Sequence, residues 1–178
     1  MTELWQQQLA SAIRDPDQLL AHLNLNTLSI LTDHNNANPF PCRVPHPYLA
    51  RIKKGDPHDP LLRQVLPLSV ENKPMPGYSL DPLQEMHASP TAGLLHKYHG
   101  RVLVTLTGAC AIHCRYCFRR HFPYQTHSFN QPRWQAIVDY IQKDQSIHEV
   151  ILSGGDPLVL KDASLQLIIQ DLEAIPHI

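Results

Sequence analysis

The chain has 178 residues, enough for one ordinary domain with a sizeable hydrophobic core. A hydrophobic share of 43% and a charged share of 17% are typical of a globular protein and exclude a disordered one. The formal net charge of -1 gives no global field that attracts nucleic acid or anionic lipid. There is no apolar run of the about 20 residues that span a bilayer, and no secretory signal at the start. We therefore expect a soluble cytoplasmic protein whose thiols stay reduced.

The first part of the chain reads as short helices joined by loops. Apolar residues recur at roughly helical spacing over residues 4–13, which predicts an amphipathic helix. Asp15 followed by Pro16 predicts the start of a second helix, because aspartate caps helices and proline suits their first position. Residues 35–47 are predicted as a loop.

Two further short helices are predicted before a proline-rich stretch. One covers residues 48–55 and ends at Gly55, and the next begins at Asp59 and Pro60. Five prolines between residues 67 and 99 favour an extended, looping connection over regular structure.

The pattern changes at residue 101. Residues 101–107 and the segment that begins at Glu149 are apolar runs rich in β-branched residues, which predicts two buried strands. Asn130 is a candidate cap for a helix between them, and residues 162–175 form another amphipathic pattern. Strand, loop and helix repeated twice is the pattern of a parallel α/β protein. Two such units cannot cover a parallel sheet, so we expect the N-terminal portion of a longer protein, with an exposed sheet edge that needs a partner.

Three of the four cysteines lie within eight positions, in the segment GACAIHCRYCFRR. Cys110, Cys114 and Cys117 have the spacing C-x3-C-x2-C, which lets three sulfurs face a common centre. Thiolates are soft ligands suited to zinc or to iron–sulfur clusters. In a cubane cluster, three cysteines leave one iron without a protein ligand. Such an open position can bind and activate a small molecule, as in catalytic zinc sites.

Two other interpretations of these cysteines stay open from the residues alone. They could be ordinary buried small residues, or they could form a structural Cys3His zinc site with His113 or His121. Zinc sites usually draw their ligands from two separated pairs, and no second pair is present in the sequence. Cys42 lies far away in a proline-rich stretch, and we interpret it as a buried or incidental residue.

The motif C-x3-C-x2-C with the aromatic Tyr116 before its last cysteine resembles the cluster motif of the radical S-adenosylmethionine (SAM) superfamily. The resemblance implies a 4Fe–4S cluster whose unique iron binds SAM. It implies that one electron, from a flavodoxin-type or ferredoxin-type donor, cleaves SAM to a 5′-deoxyadenosyl radical. The implied fold is the first two βα units of a partial TIM-like (β/α)6 barrel over residues 100–178. A helical, proline-rich region precedes it over residues 1–99.

A second segment, SGGDP, ends the later of the two predicted strands. Glycines allow a backbone to approach a ligand closely, and barrels bind ligands at the carboxyl ends of their strands. In the superfamily the matching segment contacts the methionine amino group of SAM, which implies that role for Gly154, Gly155 and Asp156. A simple turn is the alternative.

Several segments resemble the lysine 2,3-aminomutase family, among them RVPHPYLARI, DPHDPLLRQVLP and the stretch from GLLHKYHGR to HFPY. The likeness covers most of residues 39–178 and is strongest to members that supply β-lysine for modifying elongation factor P. It implies an isomerase that moves the amino group of L-lysine by radical chemistry with SAM and pyridoxal 5′-phosphate (PLP). It also implies a functional link to elongation factor P and its lysyl ligase.

Five residues take roles from this resemblance by position. Lys97, Tyr98 and Arg101 correspond to contacts with PLP, and Arg119 corresponds to the arginine that clamps the substrate carboxylate. Tyr116 is expected along the adenine of SAM. The alternatives are core packing for the two tyrosines, a solvated Lys97 and a surface Arg119.

The lysine that carries PLP in the family has no counterpart among the six lysines of this sequence. We therefore expect the chain by itself to bind a cluster without catalysing. The rival functions are another radical SAM activity, on glutamate or on nucleic acid, and a non-catalytic zinc module. A nucleic-acid partner is disfavoured because the charge is near neutral and no basic–aromatic stripe is present. No membrane partner is expected, and self-association into a homo-oligomer stays open.

Overall fold

The computed structural model describes residues 4–32, 41–127 and 129–178. Part of the loop predicted over residues 35–47 therefore lies outside the described residues. The chain divides into two compact units. The first comprises residues up to Leu80 together with Ala111–His121, and the second comprises Asp81–Cys110 together with Phe122–Ile178.

The first unit is built from short helices. Its α-helices are α1 (Leu4–Ala10), α2 (Pro16–His22), α3 (His46–Leu49) and α4 (Leu62–Val65), with 3₁₀ helices at Asn26–Leu31 and Ser69–Asn72. The predicted cap is confirmed, because the Asp15 side chain accepts a hydrogen bond from the amide of Asp17 and Pro16 is the first helical residue. The helix predicted to run to Gly55 is shorter than expected, since α3 ends at Leu49.

The core of the first unit collects side chains from all of these segments. Leu19, Leu20, Val44 and Leu62 are almost completely buried in it. Ile112, from the segment that carries two of the predicted cluster cysteines, packs against the same core. That segment therefore belongs to the first unit through contacts with residues distant in sequence. Along the chain, however, it follows a strand of the second unit.

The second unit contains a three-stranded sheet in the order β1 (Leu94–Tyr98), β2 (Arg101–Thr107) and β3 (Glu149–Gly154). β2 and β3 are parallel, as predicted, and β1 pairs with β2 in the antiparallel direction. The sequence prediction of a connection without regular structure over residues 67–99 is wrong for β1. Its short apolar start, Leu94 and Leu95, lies within a stretch dominated by prolines, and pairing with β2 buries those two leucines.

Helices of the second unit cover the sheet. They are α5 (Tyr124–His127), α6 (Gln131–Lys143) and α7 (Asp162–Glu173), with 3₁₀ helices at Glu85–Ala88 and Pro157–Val159. Asn130 caps α6 as predicted, and its side chain accepts a hydrogen bond from the amide of Arg133. The indole of Trp134 on α6 donates to the carboxylate of Asp171 on α7 at 2.6 Å, which ties the two helices together.

The units do not follow the division predicted at residues 99 and 100. β1 belongs with β2 because their backbones pair, and Ala111–His121 group with the first unit. The prediction that a family domain begins at residue 100 stays a prediction. No helix in the described part of the chain is long and apolar enough to cross a bilayer.

The packing of α6 gives a direct test of the core. Ile141→Ala removes a fully buried side chain and is expected to lower the free energy of unfolding by about 2–5 kcal/mol, through lost burial and the cavity left behind. Leu167→Ala on α7 is the matched control, because Leu167 is exposed and such changes stay within about 0.5 kcal/mol. Urea unfolding measures both, and equal losses would contradict this core.

Asp59 predicts a pH dependence for the first unit. Its carboxylate accepts hydrogen bonds from the amides of Lys53, Leu61 and Leu62, and these bonds lower the pKa of Asp59 below its ordinary value. Because the pKa is lower in the folded than in the unfolded chain, the stabilisation is fully present above about pH 4 and is lost as the pH falls through the folded value. We expect the difference in unfolding free energy between wild type and Asp59→Asn to shrink as the pH falls below about 4.

Urea titrations at several pH values measure this difference, with Asp139→Asn at an exposed aspartate as the control. A stability difference that is as large at acid pH as at neutral pH would refute the assignment to the Asp59 carboxylate.

Candidate functional site

The carboxyl end of β2 leads directly to the first cysteine of the predicted cluster motif. β2 ends at Thr107, and the side-chain hydroxyl of Thr107 accepts a hydrogen bond from the amide of Ala109 at 3.0 Å. This local bond turns the chain out of the strand and into Cys110. The start of the cysteine segment is therefore held by the strand itself.

The Gly154–Asp156 segment is hydrogen bonded to this same turn. The amide of Gly155 donates to the carbonyl of Thr107 at 2.6 Å, and the amide of Asp156 donates to the carbonyl of Ala109 at 2.8 Å. The parallel register of β2 and β3 brings the two strand ends side by side. Within the second unit, the structure thus joins the glycine segment to the residues immediately before Cys110.

Glycine is required at this junction for steric reasons. Gly154 has a φ of +116°, and a Cβ there would lie 2.4 Å from the carbonyl oxygen of Thr107. A Cβ at Gly155 would lie 2.3 Å from the carbonyl oxygen of Ala109. The close approach of two backbones is the reason for the pair of glycines that the sequence analysis singled out.

Tyr124 supports the junction from α5. Its hydroxyl donates to the carbonyl of Gly154 at 3.0 Å, and its ring lies so close to Gly108 that a Cβ on that glycine would be 2.7 Å from the ring. One side chain thus contacts both loops, the one after β2 and the one after β3. Sequence reasoning did not assign a role to Tyr124, although it lies in the HFPY segment quoted for the family resemblance.

The other two cysteines lie on a closed turn in the first unit. The amide of Cys117 donates to the carbonyl of Cys114 at 3.0 Å, which closes a turn of four residues. The backbone on either side of Cys114 is fixed as well, because the amide of His113 donates to the carbonyl of Arg43 and that of Arg115 to the carbonyl of Gln64. Hydrogen bonds to distant parts of the first unit therefore set the backbone of this cysteine turn.

The four cysteines divide into two classes by their surroundings. Cys110, Cys114 and Cys117 are partly exposed, and none of the four is in a disulfide. Burial, with a smaller contribution from the Asp15 carboxylate, raises the pKa of Cys42 to about 12. Cys42 is a buried thiol of the first unit's core, as the sequence analysis expected.

The three partly exposed cysteines fit an iron–sulfur cluster by the chemistry of their donor atoms. Three accessible thiols on loops and turns offer the soft ligands that iron–sulfur clusters take. No three His, Cys, Asp or Glu side chains form a preassembled metal-binding group among the residues that the structure describes. The donor set and the motif, not a ready-made geometry, therefore support a cluster.

The comparisons with known proteins point in one direction. The sequence model described as the radical SAM superfamily matches residues 104–177. These residues include most of β2, the three cysteines predicted to bind a cluster and the Gly154–Asp156 segment. Residues 104–177 belong to the radical SAM superfamily.

Relatives of the radical SAM segment extend over nearly the whole chain. The chain is 48% identical over 177 residues to the L-lysine 2,3-aminomutase of Escherichia coli, covering 99% of this chain and 52% of that protein. It is 45% identical to the protein of that name from Haemophilus influenzae, covering 98% of this chain and 52% of the relative. Against the Bacillus subtilis relative the identity is 33%, covering 98% of this chain and 37% of the relative. The chain spans about half the length of the first two of these relatives.

Two of the predicted contact residues in the radical SAM segment flank Cys117. Tyr116 is 67% exposed, so core packing is not its role, and the charge of the neighbouring Cys114 thiolate raises the pKa of Tyr116. Arg119 is only 7% exposed, which contradicts the alternative of a surface arginine. Its guanidinium lies 5.0 Å from the centre of the Phe118 ring. The roles of both residues toward SAM and substrate stay predictions.

The three residues predicted to contact PLP lie at the other end of β2. Lys97 and Tyr98 end β1, and Arg101 begins β2, so they surround the β1–β2 turn. Thr107 is six residue steps along the strand from Arg101, which corresponds to about 20 Å. The structure therefore does not bring this trio together with the Gly154–Asp156 segment.

The same trio has partners of its own in the second unit. The Lys97 ammonium donates to the carbonyl of Leu83, and Arg101 pairs with Glu149 at 3.1 Å. Tyr98 is exposed, so the alternative of core packing does not hold for it. Contact with PLP stays a prediction for all three.

The histidines considered for a zinc site differ in their surroundings. The Nδ1 atom of His113 lies 2.6 Å from the carbonyl oxygen of Pro41, which makes it a hydrogen-bond donor. Burial, together with the charges of Arg43 and Arg14, lowers the pKa of His113 despite that bond. Burial and the charge of Arg120 lower the pKa of His121. Both rings are thus biased toward the neutral form that a metal ligand requires, and the zinc alternative needs an experiment.

The crowding at Gly154 predicts a measurable difference between two glycines. Gly154→Ala and Gly77→Ala both place a side chain at positive φ, a strain of about 1–3 kcal/mol. Only Gly154→Ala also drives a Cβ into the carbonyl of Thr107, since nothing lies within 4 Å of the Cβ position at Gly77. We expect Gly154→Ala to lose about 1–3 kcal/mol more in the free energy of unfolding. Urea unfolding of both variants measures this, and equal losses would rule out the tight junction.

Proposed function

We propose that the chain is the N-terminal part of an L-lysine 2,3-aminomutase that holds a 4Fe–4S cluster and SAM. Cys110, Cys114 and Cys117 bind three irons, and the Gly154–Asp156 segment contacts SAM at the fourth. The observation that carries the proposal is the hydrogen-bonded junction between the turn before Cys110 and the Gly154–Asp156 segment. Two motifs distant in sequence are both superfamily signatures, and they meet at the carboxyl ends of adjacent parallel strands.

The proposed fold of the complete enzyme extends the observed sheet. β2 and β3 with their following helices correspond to the first two βα units of a partial (β/α)6 barrel, and the parallel register supports this. β1 adds an antiparallel strand before them. The remaining units would come from residues that correspond to the other half of the relatives.

The chain's own residues bind and orient the reactants in this proposal. When bound, SAM would supply radical chemistry for hydrogen-atom transfer, and PLP would supply a carbonyl group able to carry the migrating nitrogen. Arg119 offers a buried, planar cation for the lysine carboxylate. From the family resemblance, Lys97, Tyr98 and Arg101 are proposed to hold PLP, although they lie at the opposite end of β2 from the Gly154–Asp156 segment. The family's PLP-bearing lysine has no counterpart here, so the chain alone is expected to bind a cluster without turnover.

The proposal also covers where the enzyme acts, what reduces it and how its product is used. The enzyme would act in the cytoplasm, receive electrons from a flavodoxin-type or ferredoxin-type donor, and supply β-lysine for modification of elongation factor P. The support is the 45–48% identity to relatives named L-lysine 2,3-aminomutase and the segments quoted above.

Cysteine substitutions test the cluster directly. After anaerobic reconstitution with iron and sulfide, the full chain is expected to be brown, and Cys110→Ala, Cys114→Ala or Cys117→Ala is expected to lose most of the cluster, because each removes an iron ligand. Cys42→Ala is the matched control and should retain the cluster, since the Cys42 thiol is buried in the core of the first unit. Iron and sulfide content and the absorption spectrum give the result.

Two outcomes would count against this assignment. A colourless wild-type chain that binds one zinc ion tightly would support the Cys3His module, provided that His113→Ala does not bind this zinc. Equal loss of iron in Cys42→Ala and the other three variants would show that the substitutions act by destabilising the fold and not by removing iron ligands.

The substrate is tested by incubating the full-length protein with PLP, SAM, a reductant and either L-lysine or L-glutamate. Formation of β-lysine is expected, and mass spectrometry of the products measures it. Conversion of glutamate alone would overturn the choice of substrate while leaving the radical SAM assignment in place.

A further inference from the structure

Glu71 forms ion pairs with two arginines of the segment that carries Cys114 and Cys117. Its Oε1 atom lies 2.5 Å from Nε of Arg115, and its Oε2 atom lies 3.1 Å from Nη1 of Arg120. The Glu71 side chain is 14% exposed, and both arginines are largely shielded from solvent. Shielded pairs such as these are coupled more strongly than exposed ones, and removing one partner leaves an uncompensated charge.

One of the two arginines lies inside the cysteine turn and the other follows it. Arg115 follows Cys114 directly, and the amide of Arg120 donates to the carbonyl of Cys117 at 3.3 Å. The Nη1 atom of Arg120 also donates to the carbonyl of Arg115 at 3.3 Å, so the arginines are linked to each other. One carboxylate therefore pairs with a residue inside the four-residue turn from Cys114 to Cys117 and with a residue that follows it.

Glu71 is itself held in place by local structure. It lies in the 3₁₀ helix Ser69–Asn72, and its amide donates to the carbonyl of Leu68 at 3.0 Å. Arg115 has further anchors nearby, because its amide donates to the carbonyl of Gln64 and its guanidinium to the carbonyl of Arg63. The cysteine turn is thus tied by hydrogen bonds and ion pairs to two sequence-distant segments of the first unit.

We propose that Glu71 is a positioning residue for the iron–sulfur cluster. Its carboxylate sets the position of the Cys114–Cys117 turn and offsets the positive charge of Arg115 and Arg120 beside the thiolates. This inference rests on the proposed function, since it requires that the cysteines bind a cluster. It adds to that function a residue outside the cysteine motif on which the retention and the reduction potential of the cluster depend.

Glu71→Gln separates the charge of the side chain from its size. Glutamine keeps the shape and one acceptor oxygen but loses the negative charge, so two arginine charges remain next to the cluster. Substitution of residues that orient metal ligands typically lowers metal affinity about 10–100-fold, so we expect iron to be lost to a chelator about tenfold faster. The added positive charge favours the reduced cluster, which raises its reduction potential.

The experiment compares wild type, Glu71→Gln, Glu71→Asp and Asp56→Asn as anaerobically reconstituted full chains. Asp56→Asn is the matched control, because it removes a carboxylate from the exposed Lys53–Asp56 pair of the same unit. Circular dichroism checks folding, chelator challenge measures iron loss, and redox titration followed by electron paramagnetic resonance measures the potential. Glu71→Asp keeps the charge and is expected to retain a potential close to that of wild type.

The outcomes distinguish this inference from the proposed function. If the wild-type chain assembles no cluster, the proposed function fails and this inference fails with it. If the wild-type chain assembles a cluster and Glu71→Gln equals Asp56→Asn in iron loss and potential, only the role of Glu71 is overturned. A folded Glu71→Gln chain with faster iron loss and a raised reduction potential supports the positioning role. The role is also supported if Glu71→Gln folds but assembles no cluster while Glu71→Asp assembles one.

Discussion

The parallel pairing of β2 with β3 is the constraint on which the candidate site depends. Because the strands run in the same direction, their carboxyl ends meet at one edge of the sheet, and the loops that follow them are neighbours. The turn before Cys110 and the Gly154–Asp156 segment then share backbone hydrogen bonds. A side chain on either glycine of that segment would collide with the opposite backbone, so the pair of glycines follows from the pairing.

The elements of this site that could be predicted from sequence are those with strong local signals. The β-branched runs at residues 101–107 and after Glu149 predict strands, and Asn130 marks the start of α6, as the structure confirms. The cysteine spacing and the glycine pair predict the chemistry before any contact is known. Both signals lie within a few residues of chain, which is why they can be read directly.

The elements that could not be predicted depend on contacts between distant residues. β1 was missed because its apolar residues are few and its pairing with β2 stabilises it. The ion pairs between Glu71 and the two arginines span more than forty positions of sequence, and no local pattern indicates them. The sequence offered one chemical indication of these ion pairs. Several arginines lie close to the cysteines, and their positive charges favour a nearby acidic side chain. The placement of Lys97, Tyr98 and Arg101 at the far end of β2 could not be predicted either. A position in a family motif does not give the distance between that residue and other site residues in space.

The most direct test of the central claim is electron–nuclear double resonance of the reduced, reconstituted protein with SAM labelled isotopically at its amino nitrogen. If three cysteines hold the cluster and leave one iron for SAM, the labelled nitrogen must couple to the cluster spin. The account predicts such a coupling in wild type and its weakening in Gly155→Ala, where the segment proposed to contact SAM is displaced. A well-formed cluster with no coupling to the label would contradict the account.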